Sequence, residues 1–243
     1  QSNPFRHPAL VAKMVMTLDQ ISNGRLIYYP DMGNQAREHQ SYGMPWSDDR
    51  AERIAQMVEG IELTLQLWGA SEPVTFNGRY YQTREAVCRP LPIQKPHPPI
   101  WMGEAHPDTL AACARYGQGW HSTPVSLAEL ERRLQALAAA CAAEGRSLDE
   151  LQLAMATQIL VAEDGDSVRR RYREIFGLGA EEDIPDSLNP AWLIGTPDEV
   201  EEKIRTYTEA GIDHFLLWFM DAPQEDGLEL FAREVMPRFR QSS

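Results

Sequence analysis

The chain has 243 residues, enough for one large domain with a full core or for two small ones. Hydrophobic residues make up 43% and charged residues 24%, the balance of an ordinary folded protein. A net charge of −13 argues against sequence-independent nucleic-acid binding, which needs Lys and Arg for the phosphates, and against docking on anionic membranes.

No apolar run approaches the roughly 20 residues that span a bilayer, and no signal peptide is visible. The cytoplasm is therefore the expected location. Cys88, Cys113 and Cys141 are widely spaced and match no metal-ligand pattern, so no metal is expected, and Cys88 and Cys113 read as packing residues.

Along the chain, residues 1–8 carry two prolines and read as a loop. Leu10, Val11, Met14, Leu18 and Ile21 recur at helical spacing, which predicts a helix over 8–21 stopped by Asn23-Gly24. Arg25 to Pro30 reads as a short buried strand. Asp31 to Trp46 reads as a long polar loop. Such loops are often functional, although a lone loop histidine such as His39 is more often solvated. A helix is predicted over 47–68, with Asp48 and Asp49 at its positive end.

Residues 72–99 read as an insertion. Val74 to Phe76, an Asn77-Gly78 turn and Tyr80-Tyr81 form a predicted hairpin, and a proline-rich extended run follows. Tyr80 and Tyr81 are read as part of a substrate lid or as hairpin anchors. Strand and helix then alternate: a strand at 100–104, a helix at 107–116, a strand at 119–123, a helix after Ser126 and a strand at 151–161. A helix at 166–176, a Gly- and acid-rich loop at 177–190 and a helix opened by a Thr196/Glu199 capping box come next. A strand at 212–219, with an apolar run read as core, and a helix at 226–239 complete the chain. Phe219, Met220 and Asp221 end that strand and are candidate pocket residues.

Repeated strand–helix units imply a parallel sheet with helices outside it. Five core strands are counted, fewer than the eight of a closed (β/α)8 barrel. The literal reading is a five-stranded doubly wound sheet. The chain opens on a helix with no strand before it and begins with Gln, not Met. Those features point instead to a TIM-type (β/α)8 barrel lacking its first three strands, about 70–90 residues.

One turn stands out. The apolar run from Ile100 stops at Gly103, and a helix opens at Pro107. Free backbone N–H groups and the positive end of a helix dipole meet there, and Thr109 adds a hydroxyl. The expectation is a phosphate site for a flavin-type cofactor. The alternative is an ordinary strand-to-helix turn in which His106 caps the helix and Pro107 takes its first position.

Pro4–Lys13, Thr17–Leu26, Glu38 with Tyr42-Gly43, Leu65–Trp68, Glu72–Tyr81, Pro96–Gly103, Ala114–Trp120 and Gly195–Val200 carry a resemblance. In order and spacing they are similar to the luciferase-like flavin-dependent monooxygenase superfamily, which includes bacterial luciferase and the alkanesulfonate monooxygenases. The resemblance implies a single TIM-type barrel domain over 1–243, N-terminally incomplete, with the inserted segment at about 72–99 near the fifth strand. It implies a flavin across the C-terminal strand ends, its phosphate at Gly103, Glu104, Ala105, His106 and Thr109. Many members place several glycines after Gly-Arg-Leu. Here Tyr29-Pro30-Asp31-Met32-Gly33 stands instead, which puts Tyr29 and Asp31 at the flavin edge. His121 and Ser122, at the next strand end, join the candidates.

The activity so implied is monooxygenation of a small organic substrate with O2 and reduced FMN supplied by a partner reductase. A deazaflavin-dependent oxidoreductase on the same scaffold is the alternative, and a non-catalytic flavin-binding protein or inactive barrel remnant is a third. An acid or base on the first three strands would lie outside these residues, so no catalytic residue is assigned. Unclosed sheet edges need cover, which leaves a homo-oligomer open.

Overall fold

The computed structural model describes residues 3–180, 182–185 and 188–240. The chain divides into two compact units. The first runs as far as Trp120 and takes in Ala136–Leu151; the second holds His121–Gln135 and the residues from Gln152 on.

In the first unit, α1 (Pro8–Ser22) starts on a His-Pro pair. The His7 ring accepts the Ala9 N–H at 3.2 Å, and Pro8 needs no N–H partner. Asn23 closes the helix in the left-handed region at φ 54°. Val11, Ala12, Val15, Met16 and Asp19 are buried. Leu10, Met14, Leu18 and Ile21 face outward, Ile21 being 75% exposed. Both sides of α1 are apolar, so helical spacing alone could not say which side is buried.

The strand expected over 25–30 reduces to one parallel bridge between Tyr28 and Ile100. Tyr28 N–H donates to Pro99 O, and Trp101 N–H donates to Tyr28 O. Pro30 has no N–H with which to extend the pairing. The expected loop over 31–46 contains a helix, α2 (Ala36–Ser41). Its His39 is not solvated. It is fully buried, stacked on Phe5 with ring centroids 4.5 Å apart and tilted against Trp46.

Helix α3 (Arg50–Gly69) begins three residues later than predicted, because Asp49 caps the Ala51 N–H at 2.9 Å. The Trp68 indole N–H, near its end, donates to Ala12 O of α1.

The hairpin pairs β1 (Val74–Asn77) with β2 (Gln82–Ala86) in antiparallel register. Tyr80 and Tyr81 lie in its connection, not in a strand. The reason is Glu59 of α3, whose carboxylate accepts the N–H groups of Arg79, Tyr80 and Tyr81 at 2.7–2.8 Å. The proline-rich run is held similarly by Asp19, which is completely buried. Its Oδ2 accepts Ile93 and Gln94 N–H, and its Oδ1 accepts the Gln94 amide.

Next come β3 (Trp101–Gly103) and α4 (Pro107–Tyr116), the latter with its predicted bounds. The chain then enters β4 (Gly119–Ser122). A Cβ on Gly119 would lie 2.5 Å from the buried Trp101 ring, so glycine is required by close approach.

After β4, α5 (Leu127–Ala143) returns the chain to the first unit. The second unit is built on β5 (Gln152–Val161). Two strands run parallel to it: β6 (Leu193–Gly195) and β7 (His214–Phe219). Strand β6 was not expected, since three residues between a loop and a helix cap carry no periodicity. Of the loop expected at 177–190, residues 181, 186 and 187 lie outside the described residues.

The core joins Ile159 and Val161 of β5, Leu193, Val200 and Ile204, and Phe231 and Val235. Helix α6 (Gly165–Phe176) and α7 (Pro197–Glu209) follow β5 and β6, and both halves of the Thr196/Glu199 capping box form. Strand β7 is not core throughout. Phe215, Leu217 and Phe219 pack inward, while Leu216 and Trp218 alternate outward, Trp218 being 64% exposed.

The helix expected over 226–239 changes winding. It is α-helical as α8 (Asp226–Leu230), wider over Phe231–Val235 and tight over Met236–Phe239, where Pro237 donates no hydrogen bond. The strand–helix alternation holds, and the described strands number fewer than the eight of a closed barrel.

Candidate functional site

The turn between β3 and α4 is strained. Glu104 sits at φ 78°, where residues with a side chain are seldom found. Such strain persists only where the surroundings impose it, and it concentrates at ligand sites. Here Trp120, fully buried, donates its indole N–H to Glu104 O at 3.1 Å. His106 is the N-cap of α4. Its Nδ1 accepts the Asp108 N–H at 3.3 Å and lies 3.7 Å from the Asp108 carboxylate.

Thr109 is 4% exposed, yet its Oγ1 has no hydrogen-bond partner. An unpaired buried hydroxyl costs about 1–3 kcal/mol, so its persistence points to a missing partner. Thr109 lines a pocket with Tyr29, Asp31, Met32, Met57 and Glu104 that has room for about one water-sized group. The Asp31 carboxylate accepts Gly33 N–H at 2.6 Å and the Asn34 amide at 3.3 Å. Burial, helped by Asp31 and Glu104, pushes the Tyr29 phenol pKa far up and keeps its proton on.

Of the nine sequence-derived candidates, Tyr29, Asp31, Gly103, Glu104 and Thr109 meet at this pocket. Ala105 and His106 complete the turn. His121 and Ser122 belong to the second unit. The Ser122 hydroxyl donates to Thr123 O at 2.8 Å and accepts from Arg133. His121 is half-buried, which lowers its imidazole pKa and favours the neutral ring.

Asp221 at the end of β7 is buried. It meets Arg171 at 3.4 Å and the Gly227 N–H at 3.1 Å, in a separate cleft of the second unit. Among the described residues no cluster of metal ligands occurs, and no helix is long and apolar enough to cross a membrane. Sequence reasoning missed Met32 and Met57 as pocket walls and Trp120 as the support for Glu104. The only signal for Met57 was its place on the apolar face of α3.

The three cysteines are buried and free. Burial, with Cys141 nearby, pushes the Cys113 thiol from its ordinary 9.0 up to about 12. The neutral thiol is therefore favoured by the fold. Its contribution is complete below the ordinary value and is lost as pH rises toward 12. Urea unfolding should show stability falling above about pH 9, and Cys113→Ala should flatten that fall relative to the parent.

The orphaned Thr109 hydroxyl and the polar pocket suit a hydrogen-bonding part of a bound organic group. Parallel strands joined by helices, with a polar pocket at the C-terminal end of a strand, give the arrangement in which α/β proteins bind their ligands.

The family model described as luciferase-like monooxygenase matches residues 2–214, and the chain belongs to that family. An F420-dependent glucose-6-phosphate dehydrogenase of Beutenbergia cavernae is 31% identical over 260 residues, covering 96% of this chain and 74% of that protein. An FMNH2-dependent dimethylsulfone monooxygenase of Pseudomonas putida is 26% identical over 96% of this chain and 71% of its own length. Among solved structures, monooxygenase RslO1 from Streptomyces bottropensis matches with a TM-score of 0.81 at 25% identity, over 98% of this chain and 76% of that one. The chain is thus an enzyme of the luciferase-like oxidoreductases.

Proposed function

We propose that the protein is a two-electron oxidoreductase acting on a small organic substrate, with a deazaflavin of the F420 type seated against the Tyr29–Thr109 pocket. The observation that carries the cofactor site is the buried, partnerless Thr109 hydroxyl in a pocket beside a strained turn. The choice of deazaflavin is supported by the relative that is 31% identical, which is named for F420.

When bound, such a cofactor supplies the hydride chemistry. The chain's own residues bind and orient it. Thr109 offers a hydroxyl, the protonated Tyr29 phenol lies beside it, and Met32 and Met57 give the pocket its apolar walls.

A second reading is FMNH2-dependent monooxygenation fed by a separate reductase. The Pseudomonas putida relative and the likeness to RslO1 favour it. The two separate by titrating the complete protein with F420 and with FMN, followed by fluorescence. F420 binding with hydride transfer that needs no oxygen is the expected result. Preference for FMN, with oxygen uptake once it is reduced, selects the second reading. Binding of neither overturns both readings.

A further inference from the structure

The second unit holds a cavity of its own, against β6 and the starts of α6 and α7. It encloses about 370 Å³, the size of a small-ligand site. Leu193 of β6 turns into the core, so Trp192 and Ile194 turn to the opposite face and border the cavity. Val168 and Pro190 extend this apolar wall.

Lys203 of α7 brings an ammonium to the wall. It is half-buried, and its Nζ donates to Trp192 O at 3.2 Å and to Ile194 O at 3.1 Å. Its third N–H has no acceptor among the described residues. Burial pulls the pKa of this ammonium below its ordinary 10.5, as for any charge short of solvation.

Arg169 of α6 supplies a second cation. Its guanidinium lies over Gly165, where an added Cβ would be 3.5 Å from Nη1. That is the positive end of the helix, where the dipole disfavours a cation. Only its Nη2 is paired, with Asp166, whose carboxylate is 89% exposed.

Glu199 is the one acid among the described lining residues, and its Oε2 accepts the Thr196 N–H in the capping box. Two cations against one carboxylate leave the lining with a small positive excess. That excess suits a ligand with one negative charge, which would meet the unfilled Lys203 donor. A neutral apolar ligand would leave that donor unmet, and a cation would be repelled.

We propose that this cavity binds an amphipathic organic monoanion, a carboxylate on a flat apolar body, with the carboxylate at Lys203 and the body against Trp192 and Ile194. The proposal does not depend on which cofactor the first unit takes.

The probe is 2-naphthoate, added to the complete protein, with 2-naphthylmethanol and 2-naphthylmethylammonium as its neutral and cationic matches. Dissociation constants come from NMR titration. The Trp192 indole N–H, assigned by its loss in Trp192→Phe, reports the location of the bound ring.

A probe of about 13 non-hydrogen atoms at ordinary efficiency should bind with a Kd on the order of 1 mM or tighter. It should move the Trp192 signal. The alcohol should bind at least about tenfold more weakly, and the ammonium more weakly still. Lys203→Met should weaken 2-naphthoate at least about tenfold, as expected for one lost charge-assisted hydrogen bond, and leave the alcohol within about twofold. Arg169→Gln changes an exposed side chain and should weaken 2-naphthoate by about two- to fivefold.

Equal binding of the three probes overturns the proposal. So does 2-naphthoate binding that leaves the Trp192 signal in place, or that both variants leave unchanged. No saturable binding by the folded parent overturns it as well. If Lys203→Met fails to fold, Arg169→Gln and the Trp192 signal decide.

Discussion

Replacing Asp19 by Ala should destabilise the protein by about 3–5 kcal/mol, the range for removing a buried, multiply bonded charge from a folded core. Asp19 is completely buried and accepts two backbone N–H groups and one side-chain amide of the 93–94 segment. Truncation leaves all three donors without an acceptor and opens a void in the first unit. For a chain of this length the fall in Tm should be on the order of 10 °C. Asp19→Asn should cost less, about 1–3 kcal/mol. One of its two oxygens becomes an NH2, which faces a donor instead of accepting from it. Denaturant midpoints for the three proteins check the order Ala below Asn below parent. An Asn variant as stable as the parent would remove the charge-assisted part of the argument.

Glu59→Ala should have the next largest effect, about 2–4 kcal/mol, with the damage confined to the hairpin. The Glu59 carboxylate is the acceptor for three consecutive N–H groups, those of Arg79, Tyr80 and Tyr81. Those groups cannot simply join the ladder, because the β1–β2 register ends at Asn77 and Gln82. Limited proteolysis with mass-spectrometric mapping should find faster cleavage across residues 78–82 in Glu59→Ala, and little change elsewhere. Glu59→Gln, which keeps one carboxamide oxygen, should fall between the two. Uniform cleavage along the whole chain would mean that Glu59 supports the first unit globally and not the hairpin alone.

Much of the fold was legible where local chemistry decides it. Helix α4, the Thr196 capping box and the long strand β5 follow from proline position, cap residues and apolar runs. What failed needed partners that a sequence does not display. The face of α1 was ambiguous because both sides are apolar, and the deciding residue, Asp19, is a buried acid whose partners lie 74 and 75 positions away. The hairpin connection was misplaced because Tyr80 and Tyr81 look like strand residues until the Glu59 carboxylate claims their N–H groups. At the candidate site, the strand-to-helix turn and Thr109 were found from the glycine and the helix start. The acidic lining was not foreseen, since Asp31 and Glu104 converge only in three dimensions.

Asp19 and Glu59 share one property: apart from the Gln94 amide, both hold the 72–99 segment by its main chain. A grip on N–H groups is blind to most side chains. The segment can therefore change its surface residues over evolutionary time without losing its attachment, subject to one exclusion. Proline cannot occupy positions 79, 80, 81, 93 or 94, where an N–H is demanded. The segment's own five prolines from 90 on, at 90, 92, 96, 98 and 99, all avoid those positions. Two acidic anchors thus leave a stretch of sequence free to vary.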